Sequence, residues 1–119
     1  MSGGRAIQRQ VRQSPRKMRL MIDEIRGKDV NEAYAILKFS KKTAARQIEK
    51  TLRSAVANAE QLALQHDEAF DLDELEVAHA VVNAGTTLKR FKPAAQGRAT
   101  AILKRTSHVE IHVRMKETN

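Results

Sequence analysis

Two groups of cations dominate the chemistry this sequence could do. The first is Arg5, Arg9, Arg12, Arg16, Lys17, Arg19, Arg26 and Lys28, set against only Asp23 and Glu24, so that residues 1–28 carry a net +6. The second is Lys89, Arg90, Lys92, Arg98, Lys104 and Arg105, in a C-terminal stretch from residue 88 that is again +6. Between them the charge is +2 over 29–66 and −6 over 67–87. A solvated surface with mixed signs would not segregate in this way. Cations at such density serve phosphate, because each phosphate neutralised releases a condensed counterion. With 22 Lys and Arg against 14 Asp and Glu, the 119-residue chain points to a polyanion as its partner.

Other chemistry finds little support. His108 and His112 have a chelating interval for a helix, but on a strand that interval separates them by about 13 Å, too far to share an ion. His66 and His79 have no ligand partner legible in the sequence. Asp67, Glu68, Asp71, Asp73, Glu74 and Glu76 resemble a calcium loop only in composition, since the required Gly and closing Glu are not at the needed intervals. There is no phosphate-binding Gly-rich loop, nucleophile elbow or paired carboxylate in a plausible apolar cleft. There is no cysteine, so neither a disulfide framework nor a thiolate zinc site is available. No apolar run approaches the roughly twenty residues that span a bilayer. The expectation is a cytoplasmic protein that is not an enzyme, with no metal, cofactor, membrane or small-molecule substrate.

The elements that must position the cations are legible from periodicity. Ser14-Pro15 is a helix start, a hydroxyl N-cap followed by a residue that needs no amide partner. Met18, Met21, Ile22 and Ile25 then share one face, and Gly27 supplies a left-handed cap. Asp29, with Glu32 as reciprocal partner, opens a second helix whose apolar face is Ala33, Ile36 and Leu37. Ser40 caps a third, to about Leu64, with a stripe of Ala45, Ile48, Leu52, Ala55, Val56, Ala59 and Leu62. The small residues of Ser54-Ala55-Val56-Ala57-Asn58-Ala59 permit close backbone approach, and Asn58 is equally suited to hydrogen-bonding RNA.

Beyond the third helix the period becomes two. Leu75, Val77 and Val81, then Val109, Ile111 and Val113, mark strands. They are joined through a basic segment, 84–98, with two Gly and one Pro. A short strand near Ala6–Arg12, with Ile7 and Val11 on one side, could pair with the inner half of that hairpin. The outer half, near 86–104, has too few apolar residues to fold back on a core. A lone two-stranded ribbon is marginal in water, so this arm is expected to order against a partner. The chain is thus one domain, 1–119, with a globular part at about 5–84 and 105–115 and an arm at about 85–104.

Several segments, taken in order, resemble one family. They are Ser14-Pro15-Arg16-Lys17-Met18-Arg19, closing at Ile25-Arg26-Gly27-Lys28; Ser54-Ala55-Val56-Ala57-Asn58-Ala59-Glu60; Leu88-Lys89-Arg90-Phe91-Lys92-Pro93; Gly97-Arg98-Ala99; and Lys104-Arg105-Thr106-Ser107-His108. Together, over about residues 6–114, they are similar to the L-twenty-two family of large-subunit ribosomal proteins, bacterial type. The resemblance implies an α+β fold, three helices packed on a small three-stranded antiparallel sheet with a long protruding β-hairpin. It implies a structural constituent of the large subunit that binds 23S rRNA and supports early assembly. It also implies neighbouring ribosomal proteins as partners, and a hairpin tip lining the exit tunnel against the nascent peptide.

Carried over by position, the rRNA-binding residues are Arg9, Arg12, Ser14, Arg16, Lys17, Arg19, Arg26, Lys28, Asn58, Lys89, Arg90, Lys92, Arg98, Lys104, Arg105, Thr106 and His108. Lys89, Arg90, Gly97 and Arg98 fall at the tunnel-facing tip. The turn Pro93-Ala94-Ala95-Gln96-Gly97-Arg98 lacks two cations usual in the family's bacterial members. Two other classes compete. A DNA-architectural protein with an arm for the minor groove shares the charge pattern, and an RNA hydrolase shares the substrate but lacks a general acid–base pair.

Overall fold

The computed structural model describes residues 3–93 and 99–116, with side chains at 90–102 excepted. In chain order the elements are β1 (Gly3–Val11), α1 (Pro15–Ile25), α2 (Val30–Phe39), α3 (Thr43–Gln65), a 3-10 turn (Leu72–Glu74), β2 (Leu75–Pro93) and β3 (Ala99–Met115). The strands form one antiparallel sheet in the order β1-β3-β2. The α+β architecture of three helices and a three-stranded antiparallel sheet with a long hairpin is therefore the one expected.

Helices α1 and α3 pack on the sheet and on one another, with α2 against both. The core is aliphatic: Met18, Met21, Ile22 and Ile25 of α1, Leu37 of α2, and Ile48 and Leu52 of α3 are buried against Leu75, Val77, Val109 and Ile111. β1 and α3 approach closely at Gly4. A Cβ at Gly4 would collide with the Ala55 carbonyl oxygen and the Ala59 amide nitrogen. The small-residue run of α3 thus works as a seat for a strand backbone, as expected for Ala55 and Ala59.

β3 is paired on both sides only as far as Val11↔Ser107; beyond it, β2 and β3 continue alone from Thr87↔Arg105 to Pro93↔Ala99. The hairpin stretches the molecule to 68 × 27 × 19 Å. Its radius of gyration is 17.8 Å, where a compact chain of this length would have about 13.5 Å.

Five expectations are corrected, each for a physical reason. Val81 does not join Leu75 and Val77 in the core, because a bulge between Val77 and His79 shifts the alternation to Ala80 and Val82. Ile7 and Val11 do not share a face: an irregularity between Gln8 and Val11, with Gln10 at φ 56°, leaves Ile7 outward and Ala6 and Val11 inward. Leu62 points outward and Ala63 takes its place. Ser40 does not cap α3, whose N-cap is Lys42; Ser40 instead ends α2, and its hydroxyl accepts from the Lys42 amide at 3.3 Å. Asp29 sits at the N-cap of α2 without a side-chain cap bond, because its carboxylate pairs with Lys116 Nζ at 3.1 Å. That hydrogen bond holds the Lys116 ammonium above its usual pKa.

The seat at Gly4 gives a direct test. Gly4→Ala should destabilise the protein by about 1–3 kcal/mol in denaturant unfolding, the usual cost of overpacking, with no change in net charge.

Candidate nucleic-acid interface

Helix α1 begins as its sequence demands, with the Ser14 hydroxyl accepting from the Lys17 amide at 3.4 Å and Pro15 in the first turn. The base of the arm runs beside this terminus. Between them lies a cleft of about 480 Å³ lined by Arg12, Lys17, Lys104 and Arg105, with Ser14 at the helix end and Leu88, Leu103 and Thr106 from the arm. All four cations are exposed. Among the described residues they have no side-chain ion pair. Residues nearly ninety positions apart thus converge on one concave cationic wall beside a helix N-terminus, where phosphate oxygens are favoured.

The position of that wall is set by a polar junction at the foot of the arm. Thr106 is 4% exposed; its hydroxyl donates to the Thr86 carbonyl at 2.6 Å and lies 3.1 Å from Gln10 Oε1. Ser107, fully buried, donates to the Gln13 carbonyl at 2.6 Å. The Gln10 amide donates to His108 Nδ1 at 3.1 Å. Gly85 admits this packing, since a Cβ there would meet the Thr106 hydroxyl. Thr106 and His108, expected among the binding residues, therefore fix the arm to β1, with the Thr106 hydroxyl spent inside the protein.

The first cation cluster divides. Arg19 donates from Nε and Nη2 to the Val82 carbonyl at 3.3 and 3.1 Å. Arg26 donates from Nε and Nη2 to the Ala80 carbonyl at 3.1 and 2.8 Å, and pairs with Asp23 at 2.8 Å. The next residue, Gly27 (φ 79°), donates to the Val77 carbonyl at 3.0 Å, and the Val77 amide donates back to the Lys28 carbonyl at 2.9 Å. These contacts cover the outer edge of β2, which would otherwise present bare carbonyls. Lys28 stands 4.0 Å from Glu32, while Arg9 and Arg16 are exposed away from any described partner. Asn58 donates its amide to the Arg5 carbonyl at 2.7 Å, tying α3 to β1. Lys89 is exposed on the arm. Arg90 and Lys92 lie on β2 opposite Ile102 and Thr100, and Gly97 and Arg98 fall outside the described residues.

Strand register also assembles a group that spacing along the chain hides. His79 on β2 pairs across with His112 on β3, their rings 4.9 Å apart and edge to face. His112 Nε2 lies 2.9 Å from Glu110 Oε1, and Arg5 approaches Glu110 at 4.0 Å. The His112 hydrogen bond holds the Glu110 carboxyl below its ordinary pKa. The bulge beside His79 was the missing signal: it turns His79 to the same face as His112, and nothing in the residue types announces it.

These features define a basic, arm-bearing α+β protein with four exposed cations facing one another where arm and globule meet. The sequence matches the family described as Ribosomal protein L22p/L17e over residues 6–114. A large ribosomal subunit protein uL22 of Clostridium novyi is 54% identical over 110 residues, covering 92% of this chain and 95% of the relative. The protein of that name from Oceanobacillus iheyensis is 50% identical over 113 residues, covering 95% of this chain and 96% of its own length. That from Macrococcus caseolyticus is 52% identical, covering 95% and 87%. The chain belongs to the ribosomal protein L22p/L17e family. It is a structural protein of translation rather than an enzyme.

The division of the cations is testable. Arg19→Ala with Arg26→Ala should lower stability by about 1–2 kcal/mol in denaturant unfolding by stripping donors from the β2 edge. Arg12→Ala with Lys17→Ala should leave the unfolding free energy within about 0.5 kcal/mol of wild type.

Proposed function

We propose that this chain, like its relatives, is a constituent of the large subunit of the cytoplasmic bacterial ribosome. It binds 23S rRNA there and contacts neighbouring large-subunit proteins. The observation that carries this reading is the cleft lined by Arg12, Lys17, Lys104 and Arg105. It is concave, its four cations have no ion pair among the described residues, and it offers a path for an RNA backbone between the globule and the foot of the arm. Arg16, Arg9 and Lys89 extend the positive surface along α1, β1 and the arm.

The mechanism is electrostatic and geometric. Phosphate contacts fix register and orientation without reading base identity. The arm, only two strands thick, enters spaces between RNA segments that a globule cannot, and braces segments distant in the RNA sequence. That bracing is the contribution to early subunit assembly. The resemblance supports a further assignment, in which the tip around Lys89, Arg90, Gly97 and Arg98 lines the nascent-peptide exit tunnel and touches the emerging chain. With Ala94 and Gln96 where cations are usual, its grip at the tip is weaker and the cleft at the arm's foot bears more of the affinity.

Binding to 23S rRNA fragments across a salt series tests this. Replacing Arg12, Lys17, Lys104 and Arg105 with Ala should weaken binding and flatten the dependence of log affinity on log salt by about 0.7–0.9 per cation removed. Wild-type protein should prefer structured rRNA to duplex DNA at matched salt. Equal affinity for both would favour a DNA-architectural role, and an unchanged salt slope in the variant would move the binding surface elsewhere.

A further inference from the structure

The face of the sheet opposite the helices carries a cluster that lies outside the proposed rRNA contacts. We propose that His79, Glu110 and His112 form a binding site for a borderline divalent transition metal of the zinc class. Their potential ligand atoms all lie within 4.8 Å of one another. The two histidines are cross-strand partners and Glu110 stands two residues before His112 on the same strand, so the backbone ladder fixes all three on one side.

The hydrogen bond between His112 Nε2 and Glu110 Oε1, 2.9 Å long, resembles a metal site with a proton in place of the ion. Two donors on a tetrahedral ion at 2.0–2.1 Å stand about 3.3 Å apart, so the pair must open by only a few tenths of an ångström. The His112 proton then resides on Nδ1, leaving Nε2 free to ligate. His79 is exposed, so its ring can turn to close the third side. The remaining position stays open to water or another oxygen ligand.

The donor set selects the metal. Two imidazoles and one carboxylate suit zinc and its neighbours, whereas magnesium and calcium require oxygen ligands. One local feature opposes binding: Arg5 lies 4.0 Å from Glu110 and competes for its charge. Its side chain is 62% exposed and can swing away. Its removal should therefore strengthen the site, a direction that a purely structural role for the cluster would not produce.

The experiment is a calorimetric Zn²⁺ titration of untagged full-length protein, repeated with Co²⁺ to read ligand-field bands. Wild type should take up one equivalent, undisturbed by excess magnesium. His79→Ala and His112→Ala should each weaken uptake by about tenfold or more, at least the loss that outer-shell changes cause. Glu110→Gln should weaken it, Arg5→Ala should tighten it, and His66→Ala should leave it unchanged. Imidazole NMR of the wild-type protein supplies a readout independent of variant folding: His79 and His112 resonances should shift on zinc addition while those of His66 and His108 stay. Failure of wild type to bind, or uptake that survives loss of either His79 or His112, would overturn the site.

Discussion

The structure depends on one strand having two neighbours for half its length and one for the rest. β3 pairs with β1 and β2 up to Ser107, and with β2 alone beyond it. The arm is therefore not an appended loop but a continuation of the central strand of the core. Residues 109, 111 and 113 of that strand are buried under the helices, so the hydrophobic core holds the root of the arm. A ribbon that would be marginal by itself inherits direction from a packed sheet.

From that constraint follows the separation of roles among cations of one sign. Where the backbone of β2 is left without a strand partner, Arg19, Arg26 and the Gly27–Asp29 segment supply donors and pairing. Where the arm leaves the globule, Arg12 and Lys17 meet Lys104 and Arg105 across open space. A guanidinium that satisfies buried or edge carbonyls adds to stability. One that faces only its like gains no such contact within the fold. Charge counting cannot separate these, because both kinds appear in the same run from Arg12 to Arg26.

Much of this was legible in the sequence. Ser14-Pro15, the Met18–Ile25 stripe and the alternation of Val109, Ile111 and Val113 were sufficient to place α1 and β3, because each signal is local. Errors arose where a single irregular residue resets the phase: the bulge before His79 exchanged Val81 for Val82, and the positive φ of Gln10 separated Ile7 from Val11. Ser40 and the Asp29 side chain do not cap as their positions suggest, because tertiary partners, Met21 for one and Lys116 for the other, draw those side chains away, although Asp29 keeps the N-cap position of α2. The convergence of Lys17 with Arg105 and of His79 with His112 depends on register, which no run of residues spells out. Thr106 and His108 stood out by resemblance, but their work at the foot of the arm is visible only once Gln10 and Thr86 are beside them.

The central claim is that positioned charge, not charge alone, makes this surface. Thr106→Val combined with Ser107→Ala keeps every cation and removes the hydroxyls that lock the arm to Gln13 and Thr86. Affinity for 23S rRNA fragments measured at fixed salt should fall by about tenfold or more, some 1.4 kcal/mol, while α-helical content stays at the wild-type level. Affinity equal to wild type in a folded variant would show that the junction does not matter and that the cations bind wherever the chain happens to hold them.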